Sequence, residues 1–357
     1  MLRDSRPIEN VFWTPRLLSL IFLSAGIFLA ALLFYPISLV FAGKWKMNQK
    51  IDLADQVSID LSKFGLDFLA PVLGLSDPIL PIGSISLRFY SLCILLAVLA
   101  GYFLVLHLSK IHFVAGTIID RLVLGLIISG IVGSRLFFVA FNWEKFSDQP
   151  LTIFTDIGKG GLAFFGMLIF SSLYLIFYCS RFRFNLYEFL DFVIPGVLLG
   201  QIIGRFGNFF NYESYGPETA VFWKMFVPSS ANYYSTDFNS IYFHPTFLYE
   251  IIPNFFLLTL LLYFYNDLTN KRSGMVFAFY AIGYGIIRFC TEFFRLDSLK
   301  ITIPSNWQFT LSYFGKVEYI MVSQVASLIL ILIGIIVIWR RNKIIFIKKD
   351  MKEFSVA

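Results

Sequence analysis

The sequence has 357 residues and a formal net charge of +6, with 57% hydrophobic and only 15% charged residues. Because a soluble globular domain has roughly a quarter charged residues, this composition excludes an ordinary soluble protein. The basic residues lie mostly in short segments beside apolar runs, as the positive-inside rule describes, and not in one basic domain that would bind nucleic acid. The sequence therefore predicts an all-α polytopic membrane protein.

Eight apolar windows are long enough to cross a hydrocarbon core of about 30 Å, which takes about 20 helical residues. An even number of spans places both chain termini on one side of the membrane. The loops on that side then carry basic residues such as Arg181, Arg183, Lys271 and Arg272, so we expect both termini to lie inside. The windows lie near residues 17–41, 88–107, 122–142, 161–179, 187–209, 247–265, 274–294 and 319–339.

These windows predict four parts of the chain. Residues 1–43 form an N-terminal cytoplasmic segment with an extra transmembrane anchor, and residues 44–87 form an external arm region. Residues 88–340 form a seven-helix core, which includes a small external head at residues 210–246. Residues 341–357 form a basic cytoplasmic tail.

Small residues recur at every fourth position in two of the core windows, a spacing that lets neighbouring membrane helices approach closely. We expect these positions to serve packing alone. They are Gly125, Ser129 and Gly133 in one window, and Gly196, Gly200 and Gly204 in the other.

Ionisable side chains within the spans need an explanation, because each costs roughly 2.5 to 3.5 kcal/mol at a helix centre. In the seventh window, Tyr284, Arg288, Glu292 and Arg295 are spaced by four, four and three residues, so they share one helix face. This face lies toward the outer end of the helix, within reach of a phospholipid headgroup. Alternatively, Arg288 and Glu292 form an ion pair that only ties helices together. Other such residues are Arg135, Asp191, Arg205 and Glu213.

The fifth window ends in the run GRFGNFFNYESYG, residues 204–216, which carries Arg205, Asn208, Asn211 and Glu213. Glycine gives a ligand access to the backbone, and the fork of an arginine matches phosphate oxygens. The density of polar groups therefore predicts an anion-binding site at the membrane edge.

A third motif, HPTFLYE at residues 244–250, follows the predicted head and opens the next window. His244 suits three roles: a base, a headgroup donor or a structural cap. The motif alone favours the structural role.

Together these motifs resemble those of prolipoprotein diacylglyceryl transferases. GRFGNFFNYESYG closely matches the signature run of that family. HPTFLYE resembles its histidine-proline-x-x-leucine-tyrosine-glutamate run, and Arg288 to Arg295 resemble its arginine-x-x-x-glutamate-x-x-arginine run. Weaker similarity extends from about Gly83 to the end of the last window and includes Tyr90, Arg135, Gly160, Gly161, Asp191 and Gln324.

The resemblance implies an enzyme of the bacterial cytoplasmic (inner) membrane that uses no cofactor. It implies transfer of a diacylglyceryl group from phosphatidylglycerol to the lipobox cysteine of a prelipoprotein signal peptide. Membrane lipids are the other expected partners. With three histidines and no carboxylate pair at ligand spacing, no metal site is expected.

The site residues implied by the resemblance fall into two groups. We expect Arg205 and Arg288 to clamp the phosphate, with Asn208 and Tyr284 completing its hydrogen bonds. The implied catalytic residues are Arg205, Arg288, Glu213, Glu292, His244 and Tyr90. The residues implied to bind phosphatidylglycerol are Arg205, Asn208, Asn211, Gly216, Tyr284, Arg288 and Arg295.

One departure from the family concerns the glycine-rich run KGGLAFFGML. Phe165 stands where the family often has a histidine, a candidate base, and Met167 stands where a glycine is usual. The departure leaves a second hypothesis, a transferase-like lipid-binding protein with lost or altered activity. A third hypothesis, a transporter, also accounts for intramembrane charges, but the sequence shows no inverted repeat.

Overall fold

In the described part of the chain, seven helices are long and apolar enough to cross a membrane. They coincide with the last seven apolar windows, so the predicted all-α membrane architecture is confirmed. The helices are α1 (Phe89–Ile111), α2 (Gly116–Phe141), α3 (Phe164–Arg181), α4 (Leu186–Phe210), α5 (Thr246–Tyr263), α6 (Met275–Glu292) and α7 (Val322–Phe354). The computed structural model describes residues 14–22, 79–82, 85–147, 149–155, 161–221, 223–227, 242–302, 309–311, 315–317 and 319–354.

The first apolar window lies mostly outside the described residues. Residues 15–22 are helical, and the rest of the predicted anchor at 17–41 is not among the described ranges. Arg16 Nη2 lies 3.0 Å from Asp267 Oδ2, which belongs to the short helix Tyr265–Lys271 between α5 and α6. Since both side chains are about half exposed, the pair contributes little to stability.

The described residues form two compact units, of which the first contains residues 102–193. Within it, α2 packs closely on α3 along the small residues of the predicted stripe. A Cβ atom at Gly125 would overlap the ring of Tyr174, and one at Gly133 would lie 2.7 Å from the carbonyl oxygen of Gly166. The predicted packing role of these two glycines is confirmed.

The second unit contains residues 14–22, 79–101 and 194–354. Here the first half of α1 packs on α4, where a Cβ atom at Gly101 would lie 2.8 Å from the carbonyl oxygen of Gly196. Helix α7 packs on α6 in the same way, since a Cβ atom at Gly334 would lie 2.8 Å from the carbonyl oxygen of Ala278. Small residues thus bring the backbones of this unit together.

Short antiparallel pairs of β-strands lie next to the helices in the described ranges. Strand β1 (Ile79–Ile82) pairs with β2 (Ile85–Arg88) just before α1, and β3 (Met225–Phe226) pairs with β4 (Tyr242–Phe243) before α5. None of the described strands was predicted from the sequence, because each has only two to four residues. Two further pairs lie between α6 and α7. They are β5 (Lys300–Thr302) with β8 (Tyr319–Met321), and β6 (Phe309–Leu311) with β7 (Gly315–Val317).

Candidate functional site

Three arginines of the second unit converge on one carboxylate, Glu250 of α5. Arg205 of α4 places Nη2 2.5 Å from Glu250 Oε2. Arg288 of α6 places Nη1 2.6 Å from Glu250 Oε1, and Arg295, just beyond α6, places Nη1 3.8 Å from the same oxygen. The two closest arginines therefore hold one oxygen each and are bridged by a single anion.

This carboxylate lies where water hardly reaches, because the side chain of Glu250 is only 2% exposed. A second buried carboxylate, Glu292, lies one helical turn after Arg288 and places Oε2 2.6 Å from its Nη2. The spacing of four residues puts the pair on one face of α6, as the sequence predicted. Buried charges of this kind are stable only when they are paired, so the arginines and carboxylates hold each other in place.

Neutral groups fix the orientation of both bridging arginines. Arg205 hydrogen-bonds the hydroxyl of Tyr284 and places Nη1 3.4 Å from Asn208 Oδ1. Arg288 donates from Nη2 to the Ser323 hydroxyl of α7 at 3.2 Å. The structure thus brings Arg205, Asn208, Tyr284 and Arg288 together in one site.

Arg295 is held mainly by Asp297, which it binds through two hydrogen bonds of 2.9 and 2.7 Å. Ser214 joins the pair, accepting from Arg295 and donating to Asp297. Burial raises the pKa of Asp297, but the hydrogen bonds and charge of Arg295 outweigh it and the net pKa is lowered. Burial by itself lowers the pKa of Arg295, yet the hydrogen bonds and charge of Asp297 raise it overall.

The signature run leaves α4 through a tight backbone turn. Tyr212 and Ser214 both adopt the left-handed region, with φ of 52° and 55°, a conformation that residues other than glycine seldom take. At Gly216 a Cβ atom would lie 2.5 Å from the carbonyl oxygen of Phe294 and 2.8 Å from the Cβ of His244. Gly216 is therefore needed for close chain contact, whatever it does for a ligand.

Tyr90 and Glu213 lie at the same end of α4. A Cβ atom at Gly207 would lie 2.7 Å from the Tyr90 ring, and the Tyr90 hydroxyl lies within electrostatic range of both Glu213 and Arg205. Glu213 accepts a 3.2 Å hydrogen bond from the Asn211 amide. Among the described residues Glu213 forms no ion pair with an arginine.

His244 lies in a separate polar chain. Its Nδ1 is 2.7 Å from the hydroxyl of Tyr249, which also accepts a 2.7 Å hydrogen bond from the indole of Trp223. Within the described ranges His244 forms no hydrogen bond or ion pair with the three arginines. In the same ranges, no three histidine, cysteine, aspartate or glutamate side chains gather as metal ligands would.

Comparison with known proteins identifies the chain. The family described as prolipoprotein diacylglyceryl transferase matches residues 78–340. A phosphatidylglycerol--prolipoprotein diacylglyceryl transferase of Parasynechococcus marenigrum is 35% identical over 280 residues, which cover 77% of this chain and 95% of that protein. The chain belongs to this transferase family.

Two further members of the family are also similar to this chain. The protein of the same name from Gloeobacter violaceus is 39% identical over 223 residues, or 62% of this chain and 82% of the relative. The one from Synechococcus elongatus is 35% identical over 240 residues, or 66% and 81%. The matched family region contains α1 to α6 and most of the apolar part of α7, so it includes Arg205, Arg288 and Arg295.

The transferase carries Phe165 in the first turn of α3, within the first unit. The rings of Phe165 and Phe164 meet edge to face with centroids 5.9 Å apart. Nearby, Arg135 of α2 donates to the carbonyl oxygens of Ile153, Thr152 and Gly161 at 2.9, 3.3 and 3.2 Å. These contacts give the intramembrane Arg135 a structural role, because it binds the segment that leads into α3.

Glu250 was not predicted as a site residue, although it lies in the HPTFLYE motif. The available signal was a carboxylate within the first turns of an apolar span, which is costly unless a cation faces it. Asn254, one turn further along α5, was also missed. It is fully buried, and neither amide atom has a hydrogen-bond partner among the described residues.

Proposed function

We propose that Arg205 and Arg288 bind the phosphate of phosphatidylglycerol while its diacylglyceryl group passes to the lipobox cysteine of a prolipoprotein signal peptide. The family transfers diacylglyceryl groups from phosphatidylglycerol to prolipoproteins, the first step of lipoprotein maturation. The observation that carries the proposed site is the pair of arginines from different helices bridged by one buried carboxylate. A phosphate with two free oxygens suits the same pair, because each guanidinium fork can hold one oxygen.

The reaction is a displacement at the glyceryl carbon that carries the phosphate. The cysteine sulfur forms a bond to this carbon, the carbon–oxygen bond breaks, and glycerol phosphate leaves with the bonding electrons. The product is a thioether. A thiol with an ordinary pKa of about 8.5 must lose its proton before or during the attack.

The arginines act on the leaving group. Phosphate in the lipid carries one negative charge, and the departing glycerol phosphate carries a second as the carbon–oxygen bond breaks. Two fixed guanidinium groups in a nearly dry site stabilise this added charge without reorganisation. Removal of one such preorganised donor typically lowers a rate by about 100- to 1,000-fold.

The surrounding residues position the clamp. Asn208 and Tyr284 fix the plane of Arg205 and are close enough to bind the phosphate beside it. Glu292 fixes Arg288, and the bidentate Asp297 contact fixes Arg295. Tyr90, Asn211, Glu213 and Gly216 lie where α4 passes into the head, so we assign them to the glycerol headgroup and the approach of the peptide.

The cluster is assigned to the outer end of the helices in the bacterial inner membrane. Arg205 lies near the end of α4, Glu250 near the start of α5 and Arg288 near the end of α6, so all three share one side. The loop at the opposite end of α5 and α6 carries the basic residues Lys271 and Arg272. By the positive-inside rule we assign this loop to the inside and the cluster to the outside. The extra span predicted at residues 17–41 would then put both termini inside.

A reconstituted assay tests the proposal. The purified protein is mixed with phosphatidylglycerol and a lipobox peptide, and the mass gain of the peptide is followed for wild type, Arg205→Ala and Arg288→Ala. We expect wild type to lipidate the cysteine and each variant to lose activity by at least about 100-fold. A peptide whose cysteine is replaced by serine should gain no mass.

Folding must be checked, because removing one partner of a buried ion pair costs about 3–5 kcal/mol. Variants are therefore compared only as monodisperse protein with a cooperative thermal transition. Asp267→Asn, which removes the exposed pair with Arg16 at the opposite end of α5 from Glu250, serves as the control with unchanged activity. Folded arginine variants that remain fully active would overturn the proposed clamp.

A further inference from the structure

The carboxylate of Glu250 occupies the position that the phosphate needs. We infer that Glu250 holds Arg205 and Arg288 between turnovers, is displaced from them by the phosphate of phosphatidylglycerol, and then accepts the thiol proton of the lipobox cysteine. This inference rests on the proposed function and assigns a catalytic role to a residue that the family motifs do not explain by themselves.

Displacement follows from how the arginine nitrogens are used. Arg288 turns Nη2 toward Glu292 and Ser323, while its Nη1 points at Glu250. Arg205 turns Nη1 toward Asn208, while its Nη2 points at Glu250. The nitrogens that the two arginines aim at a common point therefore contact the same carboxylate, and a phosphate that occupies this point must displace it.

The charges of the cluster then become unbalanced. Its three arginines are matched by three carboxylates, Glu250, Glu292 and Asp297. A lipid phosphate adds one negative charge, and Glu250 loses its two closest cations in a place where it is only 2% exposed. A buried carboxylate without its cations is costly, and a proton taken from a neighbouring donor removes that unpaired charge.

Several charged or titratable groups face Glu250 and set this balance. None of them is a better proton acceptor, because arginine stays protonated and Glu292 remains bound to Arg288. They are Arg205 from α4, Tyr284, Arg288 and Glu292 from α6, and Arg295 just beyond α6.

The thiol supplies the missing proton. The sulfur–hydrogen bond breaks as an oxygen–hydrogen bond forms on Glu250, and the thiolate attacks the glyceryl carbon. The carbon–oxygen bond breaks, and glycerol phosphate leaves as a dianion that takes the proton from Glu250. The carboxylate is again charged and returns to Arg205 and Arg288, so no further reactant is needed.

Other bases fit this role less well. His244 hydrogen-bonds Tyr249 in a chain that does not include the arginines. Phe165 stands where the family often has a histidine and cannot accept a proton. Glu250 is already in contact with the groups proposed to hold the reacting phosphate.

The variant Glu250→Gln separates this role from that of a simple structural tie. It removes one negative charge and keeps the size of the side chain, so the arginines should bind phosphatidylglycerol more tightly and Kd should fall. At the same time kcat should fall by about 100-fold or more, because the proton acceptor is lost. The conservative variant Glu250→Asp should recover part of kcat, and the exposed Glu144→Gln should match wild type in both quantities.

The conservative variant Glu250→Asp keeps the inference testable if Glu250→Gln fails to fold. It retains a carboxylate that can accept the thiol proton, so part of kcat should remain.

The outcomes are distinct. A higher Kd or an unchanged kcat in folded Glu250→Gln, or a folded Glu250→Asp that loses kcat completely, would overturn the inference while leaving the arginine clamp intact. Failure of wild type to prefer phosphatidylglycerol over a neutral lipid would instead overturn the proposed function.

Discussion

The two units use buried arginines in different ways. In the first unit, Arg135 is 7% exposed and donates to three backbone carbonyls of the segment that leads into α3. In the second unit, Arg205 and Arg288 approach one side chain, the carboxylate of Glu250. A backbone carbonyl cannot leave its arginine without unfolding the segment, whereas a carboxylate can move aside by side-chain rotation.

This difference separates a structural arginine from a binding arginine. All three residues look alike in the sequence, since each is a charge within an apolar span that should be costly. Only the partner shows which of them a ligand can reach. Substitution of Arg205 or Arg288 should therefore lower the transferase activity, whereas substitution of Arg135 should lower the free energy of unfolding.

Among the substitutions that compare the two units, Arg288→Lys is expected to have the largest effect. Lysine keeps the positive charge but loses the fork that holds Glu250, Glu292 and Ser323 in fixed directions. We expect kcat/KM to fall by about 10- to 100-fold, or about 1.4 to 2.7 kcal/mol, in the lipidation assay. Arg340→Lys, the same change at an exposed position of α7, should have wild-type activity. Full activity in Arg288→Lys would show that charge alone suffices.

The matching change in the first unit is Arg135→Met. It leaves the carbonyls of Ile153, Thr152 and Gly161 without this donor, so we expect the free energy of unfolding to fall by about 1–3 kcal/mol. In the fraction that remains folded, KM for phosphatidylglycerol should stay unchanged. Thermal unfolding in detergent measures the loss of stability, with Arg181→Met, a change at an exposed position, as control. A raised KM with unchanged stability would reverse the comparison.

A smaller effect is expected for Asp297→Asn, which weakens the attachment of Arg295. Because the pKa of Asp297 is lowered in the folded protein, the stabilisation is complete above the unfolded value of about 3.9 and is lost as pH falls through the folded value. Wild type should therefore have a higher Tm than Asp297→Asn at neutral pH, and this difference in Tm should narrow as the pH falls. A difference in Tm that stays constant across the pH range would contradict the assigned contact between Asp297 and Arg295.

The smallest effect is expected for Phe165→His, which restores the residue that the family often carries. If Glu250 accepts the thiol proton, a second acceptor adds little, and kcat should stay within about twofold of wild type. The same lipidation assay measures it, with Phe164→His at the neighbouring position as control. A large gain confined to Phe165→His would support an imidazole base instead.

The membrane helices could be predicted because span length and apolar composition are local properties. The glycine stripes were also predictable, since a four-residue spacing places Gly125 and Gly133 on one face of α2. The meeting of Arg205 with Glu250 was not, because the two residues are 45 positions apart and only the packing of α4 on α5 joins them. The short strands were missed because two to four residues carry too little pattern.

The sequence was more informative about which residues matter than about what they contact. Spacing placed Arg288 and Glu292 on one helix face, and the structure shows that pair. Nothing in the sequence indicated that Glu213 would face Asn211, or that His244 would hydrogen-bond Tyr249. These partners depend on side-chain directions between α4 and α5, which no periodic pattern encodes.

The most direct measurement compares equilibrium binding of phosphatidylglycerol and of diacylglycerol, which lacks the phosphate, to wild type, Arg205→Ala and Arg288→Ala in detergent. The account predicts that wild type prefers phosphatidylglycerol, and that each arginine variant loses most of this preference while diacylglycerol binding stays unchanged. Equal preference in wild type and both folded variants would show that the phosphate binds elsewhere.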